Sequence, residues 1–395
     1  MKISQEGNVF DVSSSTLHDA YDYMHIVLDA RMMGAGNTRG IGRYIQETVR
    51  AVLEVNDALR YTLVVRHLSD SVFVGHPRVE HITADIPWYS VSEQLHMAGI
   101  LEGLQADLIH IPHWNVPLLL KKPFVITIHD LLLLRQPLSA KISTKNFFIR
   151  WTKYSAFRFV IRQAVKRAQK IFVPTRFVAH EVEQLTGVPL SKICVTKEGV
   201  TNFPAVDRSL VPSQPFLLYV GSAYPHKRLD ILLKAWQELS ARHLDYKLVI
   251  AGEIDIFMKR IQRQAIQARN GDRIVFTGKV TDAELRGLYE SATLFVFPSS
   301  HEGFGLPPLE ALSLGCPVVA SDIESLKEVL PLSGVEWFRE GSEHDMIQAL
   351  ERGLSNLAAT KQQLSHIRTD ICAQHDWRDG AKEVMKGYHT TLDKK

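Results

Sequence analysis

Two glutamates, Glu302 and Glu310, bracket the segment best suited to chemistry: Phe297-Pro298-Ser299-Ser300-His301-Glu302-Gly303-Phe304-Gly305-Leu306-Pro307-Pro308-Leu309-Glu310. The pattern predicts a strand ending at Pro298, a glycine-bearing loop, and a helix with Pro307 and Pro308 in its first turn, where a missing N–H costs little. Gly315 suits the helix end. Glu302 then lies in the loop and Glu310 one turn into the helix. They are not neighbours on one helix face, so each is expected on a different part of one ligand. The helix start, with its free N–H groups and dipole, favours an anion. Gly303 and Gly305 let the backbone come close to that ligand. The bland reading is an ordinary strand–loop–helix connection with two solvated glutamates. The joint presence of glycines, prolines and strand context favours a ligand site.

Three further clusters carry candidate chemistry. Leu218-Tyr219-Val220-Gly221-Ser222 leads through a turn to Lys227 and Arg228. Two cations after a glycine turn suit a diphosphate, one as a point charge and one as a fork. Cations are disfavoured at a helix N-terminus, so a bound anion would explain them better than solvation alone. Val125-Ile126-Thr127-Ile128-His129-Asp130 is a buried strand ending in His-Asp. Asp130 is suited either to orient the imidazole or to cap the next segment. A third strand, ending at Asp29, runs through a glycine-rich loop containing Gly40, Gly42 and Arg43. Its spacing does not give the dinucleotide-binding glycine pattern. Phe276-Thr277-Gly278-Lys279-Val280-Thr281 forms another strand end, with Thr281 and Glu284 as a capping box. His110 and His113 flank Pro112, share no helical face, and make no metal site.

The elements that must position these groups alternate regularly. Continuous apolar runs predict strands near residues 26–29, 61–65, 79–82, 108–111, 124–128, 171–173 and 193–196, and again near 216–220, 247–250, 274–277, 294–297 and 318–320. Helical patterns such as 41–55 and 92–104 lie between them. Such alternation predicts parallel sheets covered on both faces, in which ligands sit beyond the carboxyl ends of the strands. Residues 202–215, with Pro204, Pro212 and Pro215, read as a linker. The chain has 395 residues, 45% of them apolar, enough for two domains. Three scattered cysteines exclude a disulfide scaffold and fit a reducing, cytoplasmic setting. A net charge of +3 does not imply nucleic acid. The segment 145–170 carries eight Lys or Arg, no acid, and several aromatics. It suits either a core helix with a solvated basic face or an anionic membrane surface.

Glu302 through Glu310 resembles the E-x7-E motif of retaining GT-B glycosyltransferases, the group 1 or family-4 class. The resemblance extends over His25–His389. It implies an α/β fold of two Rossmann-like doubly wound domains facing a central cleft. The expected limits are an extension at 1–24, an acceptor-side domain at 25–206, a nucleotide-sugar domain at 207–375, and a helix at 376–395 crossing back to the first domain. By resemblance, Glu302 contacts the donor sugar near the reacting carbon and Glu310 holds the ribose. Backbone groups of Phe304, Gly305 and Leu306 reach sugar and phosphates. The turn at Gly221 and Ser222 leads to Lys227, which grips the diphosphate with Arg228 in support. His129 faces the sugar, Lys279 and Val280 border the base, and Gly40, Gly42 and Arg43 close over the phosphates. Many members have Arg in place of His226 or Ser222, a departure that bears on the phosphate contacts.

The implied reaction is retaining transfer of a hexose from a nucleotide-diphosphate sugar to a glycan or lipid-linked glycan, without metal or other cofactor. The loop Arg39–Arg43 and the Ile128–Leu131 strand end look most like the bacterial capsule and O-antigen branch, which favours GDP-mannose. A UDP-sugar donor, a nucleotide-sugar epimerase of the same fold, and an inactive nucleotide-sugar-binding protein are the competing readings. The expected place is the cytoplasm, peripheral on the inner face of the cell membrane.

Overall fold

The computed structural model describes residues 24–34, 39–56, 58–135, 147–268 and 270–393. The 1–24 extension, apart from its last residue, and residues 145–146 of the basic segment therefore lie outside the described residues.

Among the described residues, thirteen strands form two sheets. The first contains β1 (Met24–Asp29), β2 (Leu59–Val65), β3 (Val79–Thr83), β4 (Leu108–Ile111), β5 (Phe124–Thr127), β6 (Ile171–Val173) and β7 (Ile193–Val195), in the order β3-β2-β1-β4-β5-β6-β7. The second contains β8 (Phe216–Val220), β9 (Lys247–Ala251), β10 (Ile274–Gly278), β11 (Leu294–Phe297), β12 (Val318–Ser321) and β13 (Val335–Phe338), in the order β10-β9-β8-β11-β12-β13. From β3 to β6, and throughout the second sheet, neighbours pair in parallel. Strands β4, β5, β8, β11 and β12 are buried at every residue, as an apolar run covered on both faces requires.

The predicted strands are all present, with ends shifted by one or two residues. Strand β13 was not anticipated. Its Val-Glu-Trp-Phe sequence sits at a sheet edge, where Glu336 and Trp337 are only half-buried.

Each sheet has a switch point, where the chain order reverses beside its first strand. In the first it lies between β1 and β4, in the second between β8 and β11. A crevice opens beyond the carboxyl ends of strands at such a point. The residues following β1 are Ala30 and Arg31, and those following β4 are Pro112 and His113. The residues following β8 are Gly221 and Ser222, and those following β11 are Pro298 and Ser299.

The helices start where local chemistry caps them. The Thr175 hydroxyl accepts from Val178 N–H at the head of Arg176–Thr186, and Gly187, at φ 74°, ends that helix. Asp255 accepts from Phe257 and Met258 N–H. Thr281 and Glu284 form the expected capping box. Helix Leu229–Arg242 buries Leu229, Leu232, Trp236 and Leu239 along one stripe, against β8, β9 and helix Glu343–Ser355. The segment predicted as one helix over 92–104 instead begins with a π turn, Glu93–Met97, before the α-helix Ala98–Gly103.

The chain divides into two compact units. One holds residues up to 127 with 160–172 and 381–395, and the other holds 128–159 and 173–380. In the first unit the Tyr388 hydroxyl lies 2.7 Å from His110 Nδ1, and His110 Nε2 lies 2.9 Å from the Thr127 hydroxyl. His110 has no exposed surface, so it is a core residue. Among the described residues no helix is long and apolar enough to cross a membrane.

Candidate functional site

The second unit assembles most of the predicted site at its switch point. Beyond β8 the chain turns through Gly221 and Ser222, then a short 3-10 turn, Pro225–Lys227. Beyond β11 the loop from Pro298 to Gly305 leads into helix Leu306–Ser313. The two connections are tied together, because Ser300 donates both its N–H (2.7 Å) and its hydroxyl (3.1 Å) to the His226 carbonyl. That tie brings Lys227 to Glu302, with Nζ 2.5 Å from Oε1 and the two side chains 18% and 14% exposed. The same ammonium stands 5.4 Å from the centre of the Phe297 ring. Burial opposes ionisation of Glu302 more than any one neighbour favours it, but the charge and hydrogen bond of Lys227 together with His226 outweigh it, so the carboxyl sits below its ordinary value. Burial and the neighbouring Lys227 push His226 down to about 4, so its ring is neutral near pH 7.

Gly303 shows why the loop needs glycine. A Cβ there would lie 1.7 Å from the His129 carbonyl oxygen. The Thr175 hydroxyl donates to the Gly303 carbonyl at 2.9 Å and locks the loop from its other side. His129 and the Glu302 loop are therefore in direct backbone contact within one unit. The His129 ring is 3.4 Å, Nδ1 to Oε1, from the buried Glu198. Asp130 accepts from Leu132 N–H at 3.0 Å and so caps helix Leu132–Arg135, one of the two roles its position allowed.

Gly305 has φ 99° and forms the N-cap of the next helix. Pro307 and Pro308 have no N–H, so the helix start carries fewer donors than a generic one. Phe304 and Leu306 are buried, at 5% and 8% exposure.

Glu310 is 4% exposed. The Thr201 hydroxyl donates to its Oε1 at 2.5 Å and the Tyr289 hydroxyl to its Oε2 at 3.2 Å. This orients the carboxylate. Arg228 is directed to Glu340, with Nη2 3.2 Å from Oε1, and its backbone adopts φ 54° between the 3-10 turn and helix Leu229–Arg242. Lys279 is exposed beside the positive-φ Gly278, and Val280 is buried. Gly40, Gly42 and Arg43 lie in the first unit, in the opening turn of helix Arg39–Val55.

The family models now divide the chain in tandem. Glycosyltransferase Family 4 matches residues 38–201, and Glycosyl transferases group 1 matches residues 206–363. The chain belongs to this glycosyltransferase family. Among its relatives, an O-antigen chain mannosyltransferase of Salmonella typhimurium is 29% identical over 62% of this chain and 64% of that protein. O-antigen chain mannosyltransferase B of Escherichia coli is 28% identical over 75% of this chain and 82% of its own. A serotype-specific mannosyltransferase of Escherichia coli is 25% identical over 93% of this chain, which spans 48% of that longer protein. The chain thus spans just under two thirds of the Salmonella relative and about half of the serotype-specific one.

Solved structures establish the GT-B fold. Sucrose-phosphate synthase from Thermosynechococcus elongatus superposes with a TM-score of 0.77 at 19% identity, over 94% of this chain and all of that one. The Anabaena protein HepE, solved with UDP and glucose, gives 0.72 at 16% identity over 93% of this chain and all of its own.

Several residues that hold these side chains in place carry no sequence signal. Glu198, Thr201, Thr175 and Tyr289 are far in sequence from the groups they hold. Glu181 is another. It is 1% exposed, paired with Arg135, and 3.6 Å from His301. Burial, opposed by Arg135 and reinforced by Asp130, pushes its carboxyl up to about 7.

Proposed function

We propose that the protein is a retaining hexosyltransferase that moves a sugar from a nucleotide-diphosphate donor to a glycan or lipid-linked glycan. The observation that carries this reading is the Lys227–Glu302 pair at the switch point of the second sheet, beside the helix start at Gly305. Lys227 is the cation for the diphosphate and balances the charge that develops on the leaving group. The amides of Phe304, Gly305 and Leu306 add preorganised donors to the same charge. Glu302 and His129 position the sugar, with Glu198 steadying the imidazole. Glu310, held by Thr201 and Tyr289, accepts from the ribose hydroxyls. Arg228 is a secondary cation that must share itself with Glu340. Gly221 and Ser222 give the phosphates backbone access, Lys279 and Val280 border the base, and Gly40, Gly42 and Arg43, which the resemblance assigns to the phosphates, sit in the opening turn of helix Arg39–Val55 rather than in a loop.

The leaving phosphate serves as base on the same face as the incoming hydroxyl. Retention by a second, nucleophilic carboxylate would need two carboxyl groups flanking one bond, about 5 Å apart. Glu310, engaged by two hydroxyls, belongs to the nucleotide instead. Protein groups rather than a divalent ion carry the phosphate charge.

GDP-mannose is the leading donor, supported by relatives named as O-antigen mannosyltransferases. A UDP-sugar is the second reading, supported by a fold neighbour solved with UDP and glucose. The site acts at the cytoplasmic face of the membrane. Arg158, Phe159, Arg162 and Lys166 are exposed along one face of helix Phe147–Arg167 and would meet anionic lipid.

A donor panel tests the proposal. GDP-mannose should raise the melting temperature and undergo slow hydrolysis, and the sugar released or transferred should keep its anomeric configuration by proton NMR. An inverted product would refute retention. A panel in which no nucleotide sugar stabilises the protein would refute the donor site.

A further inference from the structure

Helix Arg176–Thr186 holds the Glu302 loop on both sides of that residue. At the head of the helix the Thr175 hydroxyl donates to the Gly303 carbonyl at 2.9 Å. In its second turn Glu181 Oε2 lies 3.6 Å from His301 Nε2. Residues 301 and 303 flank Glu302, so the two contacts restrict how the loop can turn its carboxylate. The helix is anchored in its own right, because the N–H groups of Arg176 and Phe177 donate to the two oxygens of Glu328 at 2.7 and 2.9 Å.

The second contact is made by two buried polar groups. Glu181 is 1% exposed and His301 8%. Burying a carboxyl is costly unless it is partnered. Arg135 Nε is paired with Oε1 of Glu181. Among the described residues, neither Oε2 nor His301 Nε2 has a hydrogen-bond partner at closer range. A movement of ~0.6 Å would bring the two within ordinary hydrogen-bond distance of each other. Phe177 frames the pair, its ring centre 6.0 Å from that of His301 and 5.9 Å from the Arg135 guanidinium.

The charged and titratable groups facing the pair are Arg135, Asp130, Glu324, Glu302, Lys227 and His226. Burial, opposed by Arg135 and reinforced by Asp130 and Glu324, raises the Glu181 carboxyl to about 7. Burial lowers the His301 imidazole. Below neutrality a carboxylic acid therefore faces a neutral ring, and its O–H is the donor to Nε2.

We propose that Glu181, acting through His301, is a positioning residue for Glu302. The pair fixes the loop at residue 301 as Thr175 fixes it at residue 303, and together they keep the Glu302 carboxylate against Lys227. Glu181 itself touches no substrate. The effect on turnover rests on the transferase reading. The brace rests only on contacts within the second unit.

The test reads Glu302 directly. Its carboxyl carbon resonance, assigned by its loss in Glu302→Gln, is titrated by NMR in the full chain. In the wild type it should titrate below the ordinary carboxylate value, because Lys227 is held against it. Glu181→Leu and His301→Leu should each move that titration upward by about one pH unit, a tenfold change in the ionisation equilibrium, as the contact with Lys227 loosens and burial takes over. Glu181→Gln keeps the shape of the side chain and an N–H to donate to the imidazole, so it should return the titration to its wild-type position. Turnover of GDP-mannose should follow: kcat falls about tenfold in the leucine variants, with affinity for GDP unchanged by calorimetry, and recovers in Glu181→Gln. If Glu181→Leu fails to fold, His301→Leu supplies the readout. An unmoved Glu302 titration in the leucine variants, or a Glu181→Gln variant as perturbed as Glu181→Leu, overturns the assignment. A wild type that turns over no nucleotide sugar, with the Glu302 shift still present in the variants, would remove the transferase reading and leave the brace standing.

Discussion

Replacing Lys227 by Met removes the charge on which two functions converge. The ammonium is 2.5 Å from Glu302 and both side chains are mostly buried. Exposed ion pairs are worth ~0–1 kcal/mol, whereas removing one member of a buried pair costs ~3–5 kcal/mol. This pair lies nearer the second case, so a stability loss of ~2–3 kcal/mol is expected. The catalytic loss should be larger. Removing one preorganised group from a developing oxyanion costs ~10²–10³ in rate, or ~2.7–4 kcal/mol. A third signature follows from Glu302. With Lys227 present its carboxyl is lowered, so its stabilising contribution holds above the ordinary carboxylate value and fades as pH falls through the lowered one. Without Lys227, burial dominates and raises that carboxyl. The acid limb of the rate profile should therefore move toward neutrality. The assay is donor hydrolysis from pH 5 to about 9, across the range where a raised carboxyl titrates, with melting curves alongside. A Lys227→Met enzyme within threefold of wild type, with an unshifted acid limb, would refute the reasoning.

Four further outcomes are expected. Gly303→Ala places a Cβ 1.7 Å from the His129 carbonyl, so the loop must move by more than an ångström; turnover should fall by ~10², and near-normal turnover would contradict the proposed loop position. Thr201→Val strips one hydroxyl from the buried Glu310 and should weaken nucleotide binding about tenfold by calorimetry, the same for every sugar attached. Glu198→Gln loosens the His129 ring and should lower kcat about fivefold while leaving nucleotide affinity unchanged. Glu181 has a carboxyl raised to about 7, so the folded state holds a proton that the unfolded chain releases near pH 4, and its contribution to stability declines as pH rises between the two values. Glu181→Gln should flatten the melting temperature over that interval, and an unchanged slope would remove this assignment.

Much of this fold is written locally. Continuous apolar runs such as Phe216–Val220 and Leu294–Phe297 mark buried parallel strands, and Thr281 with Glu284 marks a helix start. Strand β13 escaped because an edge strand need not be apolar. The π turn at Glu93 has no local signal, and its first residue is bonded to Arg31, 62 residues away. The same limit applies to the site. Glu302, Glu310 and Lys227 stand out by type and spacing, but the Lys227–Glu302 pair joins residues 75 apart and the Thr201–Glu310 bond residues 109 apart. His110 lies near a strand end, yet β4 is covered on both faces and His110 is bonded in the core to Tyr388 and Thr127. Pro307 and Pro308 were legible, and their consequence for the anion site is legible too: two of the first three helix residues bring no donor.

A crystal structure with bound GDP-mannose or its UDP counterpart shows most directly where the donor's phosphates lie. The diphosphate should lie within hydrogen-bond reach of Lys227 Nζ and the amides at Phe304–Leu306, with a ribose hydroxyl on Glu310. Density for the nucleotide away from the carboxyl ends of β8 and β11, with Lys227 still closed on Glu302, would contradict it.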